Sequence, residues 1–381
     1  MSLPATAADY RALARRRLPR FLFDYLDGGA GDERTLAANV DDFAGIRIRQ
    51  RVLVDASRVD TGAVLLGESC ALPLALAPVG LAGMMARRGE ARAARVAEAI
   101  GVPFTLSTVG ICPLAEVAAA RGAPFWFQIY MLRDRGAVEA ILDAAWAVGC
   151  RTLVFTVDLP LPGPRHRDTR NGLGAAGLKA RLLRVAQVLA RPRWIRDVAL
   201  RGRPLRFGCL EAQVPGARSL DAFKAWVDTQ FDPGVTWRDI AWLRARWRGK
   251  ILLKGILDAD DARAAVDAGV EGVVVSNHGG RQLDSVASGI RALPKIVAAV
   301  GDATEILVDG GVRSGTDLFK ALALGARGAL VGRPWIWALA GAGETGLRDW
   351  LDTLQCELRL TMTLAGVTRT ADIDVSHLDS D

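Results

Sequence analysis

Cysteine is scarce and scattered in this chain. Cys70, Cys112, Cys150, Cys209 and Cys356 stand far apart, and no two make a CxxC pair. That spacing speaks against a disulfide framework and a zinc site, so no metal is expected and a reducing compartment fits. No apolar leader opens the chain: Arg15, Arg16 and Arg17 are followed by a mixed, folded-looking segment, and no signal peptide is expected. Residues 69–86 carry no charge, but Pro73, Pro78, Gly80 and Gly83 interrupt them. That pattern predicts a buried strand and its loop rather than a membrane-spanning helix. No CxxCH is present, so no attached haem domain is expected. Histidine is rare too, with three in the whole chain.

What is present is an ordinary globular balance, 50% hydrophobic and 24% charged over 381 residues, enough for a large core. The net charge of +7 is unevenly placed. Residues 161–210 hold twelve Lys/Arg against two Asp, a local excess of +10 that leaves −3 for the rest. Basicity confined to one segment weakens a nucleic-acid reading, and no nucleic-acid partner is expected.

Short apolar runs rich in β-formers recur at Leu74–Pro78, Phe104–Ser107, Phe125–Ile129, Leu153–Val157, Ile251–Leu253, Gly272–Val275, Ile306–Val308 and Ala329–Val331. Most are followed by helix-like stretches of alanine and charge, such as Glu90–Ala99 and Ala137–Val148. Strands buried on both faces read this way, and parallel strands need helical crossovers. The expected fold is therefore α/β, a (β/α)8 TIM barrel, with a doubly wound open sheet as the alternative. Its expected organisation is a single domain over 1–381. Residues 1–70 form a helical N-terminal cap, 71–159 and 250–335 the barrel, 160–249 a long insert after strand 4, and 336–381 the C-terminal helices.

Polar residues gather where the runs end, and barrel active sites lie at the C-terminal ends of strands. Ser107, Gln128, Tyr130, Thr156, Asp158, Lys254, Ser276, His278 and Asp309 all fall there. The most informative segment is Val273–Asp284, where three valines run into a loop with His278 and Arg281 three apart. Histidine can take a proton near neutral pH, and arginine grips a carboxylate through paired hydrogen bonds. Together they predict a base acting on a substrate held by its acid group. After run seven comes Asp309-Gly310-Gly311-Val312-Arg313, and after run eight Gly332-Arg333. Glycines let backbone N–H groups approach a phosphate and arginines neutralise it, so these loops predict a phosphorylated ligand. Lys254 fits either a Schiff-base aldolase or a fixed cation beside an electron-rich ring. No ring-binding GxGxxG is read in the sequence, so a Rossmann NAD site is not supported.

The segment Ser276–Asp284 (SNHGGRQLD) is the most specific piece of a broader likeness. With Leu18–Ala30 (LPRFLFDYLDGGA) and the Gly332-Arg333-Pro334 turn, it resembles the FMN-dependent 2-hydroxy-acid dehydrogenase and oxidase family over nearly the whole chain. Leu76–Leu81, Leu106–Val109, Trp126–Tyr130 and Pro162–Asp168 are most similar to its bacterial respiratory L-lactate dehydrogenase branch.

The resemblance implies FMN as cofactor and a small 2-hydroxy acid as substrate, L-lactate first. It makes His278 the base and Asp158 the group that orients it. Arg281 and Arg165 would bind the substrate carboxylate, and Tyr25 and Tyr130 would hydrogen-bond the carboxylate and hydroxyl. Lys254 would stabilise negative charge on the reduced flavin. Ser107, Gln128 and Thr156 would bind its ring, with the backbone at Val79 and Gly80 on the N5 side and Ser276 in the same cofactor set. Asp309, Gly310, Gly311, Arg313, Gly332 and Arg333 would hold the ribityl phosphate. Short-chain glycolate oxidases of the family carry tryptophan where this chain has Val109, which leaves room for a longer acid such as mandelate.

Within the insert, Leu178, Leu182, Val185 and Leu189 share one helical face, Lys179, Arg181, Arg184 and Arg191 lie elsewhere, and Trp194 follows. A cationic amphipathic helix with a nearby tryptophan suits an anionic membrane surface. With the resemblance, this implies a cytoplasmic enzyme, peripheral on the inner face of the cell membrane, that assembles as a homotetramer and passes electrons to quinone or a cytochrome. Alternatives are a peroxide-forming 2-hydroxy-acid oxidase and an aldolase using Lys254.

Overall fold

The computed structural model describes residues 3–173, 177–214, 226 and 229–379. The chain enters through three helices, α1 Ala7–Arg17, α2 Arg20–Asp27 and α3 Arg34–Ala44, and a hairpin of β1 Ala63–Leu65 and β2 Glu68–Cys70. The barrel strands follow as β3 Leu74–Leu76, β4 Thr105–Ser107, β5 Trp126–Ile129, β6 Thr152–Thr156, β7 Lys250–Ile256, β8 Gly272–Val275, β9 Glu305–Asp309 and β10 Gly328–Val331. They lie in the order β3-β10-β9-β8-β7-β6-β5-β4, and every neighbouring pair is parallel. A parallel bridge from Leu76 to Phe104 joins the two ends of the sheet. The expected (β/α)8 barrel is what the chain forms.

Two apolar cores explain why the strands read as unbroken hydrophobic runs. Ala75, Val154, Leu252, Val274, Leu307 and Leu330 fill the barrel interior together with Leu65 and Leu66. Alternate residues, such as Leu74, Leu153, Leu253, Val273 and Val308, face the surrounding helices. Each strand is therefore buried on both faces.

The first 70 residues are not wholly helical, as the pattern had suggested. Leu66 and Gly67 turn with φ of 47° and 74°, a left-handed pair suited to a tight hairpin, and this turn closes the floor of the barrel. The Leu66 N–H donates to Glu305 Oε1 at 2.8 Å, and the Lys250 ammonium donates to the Leu66 carbonyl. Strand β7 is longer than its apolar run, and Lys254 lies inside it rather than after it. The carboxyl-terminal part is one long helix, Arg333–Ala365, bent at Gly343 (φ 76°), followed by two short 3-10 turns.

The segment expected as an insert, 160–249, contains residues 174–176, 215–225 and 227–228, which lie outside the described residues. Its described helices include His166–Arg170, Leu178–Leu189, Pro192–Trp194, the π-helical turn Ile195–Leu200, the 3-10 turn Glu211–Gln213 and Trp237–Arg246. Gly172–Gly177 spells GxGxxG, but it follows the short helix His166–Arg170 and not a strand, so the dinucleotide context is missing.

Two loops over the carboxyl ends of β3 and β4 are tied by a buried carboxylate. Glu90, 1% exposed, accepts the N–H of Gly83 at 3.0 Å and that of Ile111 at 2.8 Å. The same two loops carry Val79, Gly80 and Val109, with the Leu81 N–H bonded to the Val109 carbonyl at 3.0 Å.

Candidate active site

Strand β6 ends at Thr156 and carries Asp158 two residues on. Strand β8 ends at Val275 and carries His278 three residues on. The two side chains meet, with His278 Nδ1 at 2.6 Å from Asp158 Oδ1. Gly255, at the bulge in β7, makes room for this, since a Cβ there would come within 2.6 Å of Asp158 Cβ. His278 itself is left-handed, with φ 58°, an uncommon conformation for a side-chain-bearing residue. Its N–H donates to Ser276 Oγ at 3.0 Å. With Nδ1 engaged by Asp158, Nε2 is the nitrogen available to a ligand.

The electrostatics keep this pair divided into neutral imidazole and carboxylate. Burial pulls the His278 pKa below its ordinary 6.5; Asp158 opposes that, and the nearby Lys254 and Arg281 charges reinforce it. Burial alone would raise the Asp158 carboxyl, but His278 and Lys254 hold it below its usual value. Lys254 is buried with its ammonium 2.9 Å from Asp309 Oδ2 and 3.0 Å from Ser276 Oγ, which in turn donates to Asp309 Oδ2 at 2.8 Å. Burial disfavours its charge, but Asp309 and Asp158 more than offset that, so Lys254 stays a fixed cation. A neutral Schiff-base amine is not what this environment favours.

Ser107, Thr108 and Gln128 form a second buried group. The Ser107 hydroxyl donates to Gln128 Oε1 at 3.0 Å, and the Thr108 hydroxyl donates to the Gln128 carbonyl at 2.6 Å. The amide oxygen is thereby engaged, whereas Gln128 Nε2 is buried without a partner among the described residues. A buried donor of this kind calls for a ligand acceptor. Gly310 and Gly311 hold φ of 95° and 96°, and a Cβ at Gly311 would lie 1.8 Å from the Asn39 carbonyl. Arg313 and Arg333 line the same end. Burial pulls the two guanidinium groups down to about 10 and about 9. Arg333 donates to the carbonyls of Leu26, Gly279 and Gly28 at 3.1, 2.9 and 2.8 Å, which fixes it against the end of α2. Two desolvated cations and a backbone open enough for close approach suit a phosphate. The residues present thus fit a planar hydrogen-bonding ring with a phosphate tail, as FMN has.

Opposite lies an acid-binding corner. Arg281 and Arg165 place their guanidinium carbons 4.9 and 5.2 Å from the centre of the Tyr25 ring. Arg281 donates to the carbonyls of Tyr25 and Gly28, while Arg165 pairs with Asp168 at 3.0 Å. Burial, and then the neighbouring Arg165 charge, lower the Arg281 pKa, so an anion between the two would relieve both costs. Burial raises the Tyr130 phenol well above its ordinary value, so it remains a neutral donor.

One cavity, with about 1500 Å³ of empty space including its open mouth, brings most of the expected residues together. Tyr25, Tyr130, Arg165, His278 and Arg281 lie on its wall, as do Val79, Gly80, Thr156 and Lys254. Asp309, Gly310, Gly311, Arg313, Gly332 and Arg333 line it as well. Asp158, Ser107, Gln128 and Ser276 are not on the wall and stand behind it, bonded to one another or to wall residues. Sequence reasoning missed Leu159, Phe207, Phe231 and Gln282, which also face the cavity. Leu159 and Gln282 adjoin residues that were singled out. Phe207 and Phe231 come from the insert, and no local pattern marks them.

Residues 14–380 match the profile of the family described as FMN-dependent dehydrogenase. The L-lactate dehydrogenase of Caulobacter vibrioides (strain NA1000 / CB15N) is 53% identical over 374 residues, covering 98% of this chain and 97% of its own. That of Alcaligenes faecalis is 49% identical over 369 residues, covering 97% of each. Among solved structures, the monotopic membrane protein (S)-mandelate dehydrogenase superposes with a TM-score of 0.92 at 34% identity, covering 100% of both chains. A mandelate oxidase superposes with a TM-score of 0.83 at 39% identity, covering 100% of this chain and 99% of its own.

Proposed function

The chain belongs to the FMN-dependent dehydrogenase family, with FMN as its cofactor, and on that premise we propose that it oxidises L-lactate to pyruvate and passes the electrons to a quinone or another respiratory-chain acceptor. The observation that carries the reading is the His278–Asp158 pair on a cavity whose other wall holds Arg281 and Arg165. A 2-hydroxy acid has one anionic group for the arginines and one reacting carbon for the base. L-lactate comes before (S)-mandelate because the whole-chain relatives near half identity are L-lactate dehydrogenases, whereas the mandelate enzymes stand at 34% and 39%.

Oxidation of the alcohol to the ketone removes two electrons and two protons. Bound FMN supplies the electron acceptor. Arg281 and Arg165 hold the carboxylate, and the Tyr25 and Tyr130 hydroxyls hold the carboxylate and the substrate hydroxyl. Nε2 of His278 takes a proton, and the carboxylate of Asp158 stabilises the imidazolium that results. Lys254, kept cationic by Asp309, would balance negative charge on the ring, and Gln128 Nε2 with Ser107 and Thr156 would orient it. With FMN bound, the Val79–Gly80 backbone would face the ring, Ser276 would align Lys254, and Arg313, Arg333, Asp309 and the glycines Gly310, Gly311 and Gly332 would hold the ribityl phosphate.

A two-stage experiment tests the acceptor. Flavin bleached by L-lactate without oxygen should regain its yellow colour rapidly on addition of a short-chain quinone, and more slowly, with little peroxide, on addition of air. Stoichiometric peroxide at a comparable rate would make the protein an oxidase instead.

The same reading places the enzyme peripherally on the inner face of the cell membrane. In the helix Leu178–Leu189, Leu178, Leu182, Leu183, Val185 and Leu189 are exposed and only Ala180 is buried. Near its end Val188 packs against the core and two polar contacts face inward: the Phe21 N–H donates to Gln187 Oε1 at 2.7 Å, and Arg191 Nε donates to the Leu18 carbonyl at 3.0 Å. An apolar face turned outward beside Lys179 and Arg181 suits an anionic lipid surface. Trp194 has no part in it, contrary to the expectation from sequence. It is 4% exposed, and its Nε1 donates to the Met84 carbonyl at 2.8 Å. No helix among the described residues is long and apolar enough to cross a membrane. Replacing Leu182 and Leu189 together by Asp should weaken binding to anionic vesicles at least about tenfold, since each leucine loses its apolar burial in the lipid. Unchanged sedimentation with vesicles would place the anchor elsewhere.

A further inference from the structure

The insert returns to the barrel at Phe231, and it is fastened there to the strand end that carries Tyr130. Leu132 and Phe231 form an antiparallel bridge. The Arg133 N–H donates to the Gln230 carbonyl at 2.9 Å, and Arg133 Nε donates to the Phe231 carbonyl at 3.0 Å. The Asp134 N–H donates to Gln230 Oε1 at 3.1 Å, and Arg135 ties Asp232 and Asp239 at 3.0 and 2.9 Å. Four consecutive residues, running from the loop after β5 into the first turn of the helix Arg135–Ala147, thus grip the chain around Phe231. Its ring stands edge-on to Tyr130, with centroids 5.8 Å apart and planes at 76°. Phe231 is 8% exposed and faces the same cavity as Tyr130, His278 and Arg281.

A 2-hydroxy acid held by its carboxylate at the arginines and by its hydroxyl at His278 has one substituent left to place. That substituent meets the apolar part of the wall, where Val109, Leu159, Phe207 and Phe231 stand. Phe207 is also fixed from behind, because the Gly208 N–H donates to the Gly110 carbonyl at 3.0 Å and a Cβ at Gly208 would lie 2.3 Å from Pro113 N. Val109 gives more space than a large aromatic would, and a clamped phenylalanine takes space that cannot easily be recovered by a rotamer change.

We propose that Phe231 is the specificity-determining residue of this site: held by the Arg133–Arg135 clamp, its ring sets the upper size of the substrate's side chain and keeps the site selective for small 2-hydroxy acids. The inference rests on reading the cavity as a 2-hydroxy-acid site. It makes the insert, through this one ring, the element that separates small acids from aromatic ones.

The test is anaerobic flavin bleaching by L-lactate and by (S)-mandelate, compared as kcat/KM ratios in the wild type, Phe231→Ala and Phe231→Leu, with bound FMN measured alongside. Phe231→Ala should shift the ratio toward mandelate by at least about tenfold, the scale on which pocket size discriminates. Phe231→Leu should shift it less and serves if the alanine variant does not fold. Arg133→Ala, which keeps the phenylalanine but frees it to move by removing the bond to the Phe231 carbonyl, should shift the ratio in the same direction. A ratio within twofold of wild type, with both substrates weakened in parallel, would overturn the inference and reduce Phe231 to a packing residue. A wild type bleached by neither acid would instead sink the 2-hydroxy-acid reading itself.

Discussion

Replacing His278 by glutamine is expected to leave a yellow protein that L-lactate bleaches about 100- to 10,000-fold more slowly, the range that removal of a general base covers. Glutamine can still donate to Asp158, so the buried carboxylate keeps a partner and the cradle around Lys254, Asp309 and Gln128 is undisturbed. FMN content should therefore match that of the wild type while turnover falls. The pH profile supplies a second signature. Burial lowers the His278 pKa below 6.5, so the neutral base predominates at pH 7. Acid protonates it, and kcat/KM should fall as pH drops through a value below 6.5. That limb should vanish in the glutamine variant. Near-normal bleaching by the variant would remove His278 from the chemistry.

Replacing Arg281 by lysine should raise KM for L-lactate and lower kcat/KM about 10- to 100-fold, the cost of losing one hydrogen bond to a charged group. The guanidinium already donates to the Tyr25 and Gly28 carbonyls and still has donors for an anion. A single ammonium cannot span both tasks. Flavin content should be unchanged, because Arg313 and Arg333, the residues proposed to hold the phosphate, are untouched. A variant with wild-type KM would show that the carboxylate binds elsewhere.

The barrel was legible because strands buried on both faces leave uninterrupted apolar runs. The site was legible because polar residues stop those runs at one end. Lys254 was misplaced by its own chemistry: a buried cation breaks an apolar pattern, so β7 looked shorter than Lys250–Ile256. The hairpin Ala63–Cys70 was missed because strands of three residues leave almost no periodicity. Trp194 was misread because a sequence cannot say which way an indole points. Phe207 and Phe231 were invisible for a further reason. Their approach to the cavity depends on contacts with Gly110 and with Arg133, which only tertiary structure brings near.

The most direct measurement mixes the purified, FMN-loaded protein with one equivalent of L-lactate in the absence of oxygen, with D-lactate and (S)-mandelate in parallel. The account predicts rapid loss of the flavin's visible absorbance with L-lactate, one pyruvate formed per flavin bleached, and no response to D-lactate. A flavin that stays oxidised in the presence of L-lactate, or bleaches without forming pyruvate, would contradict it.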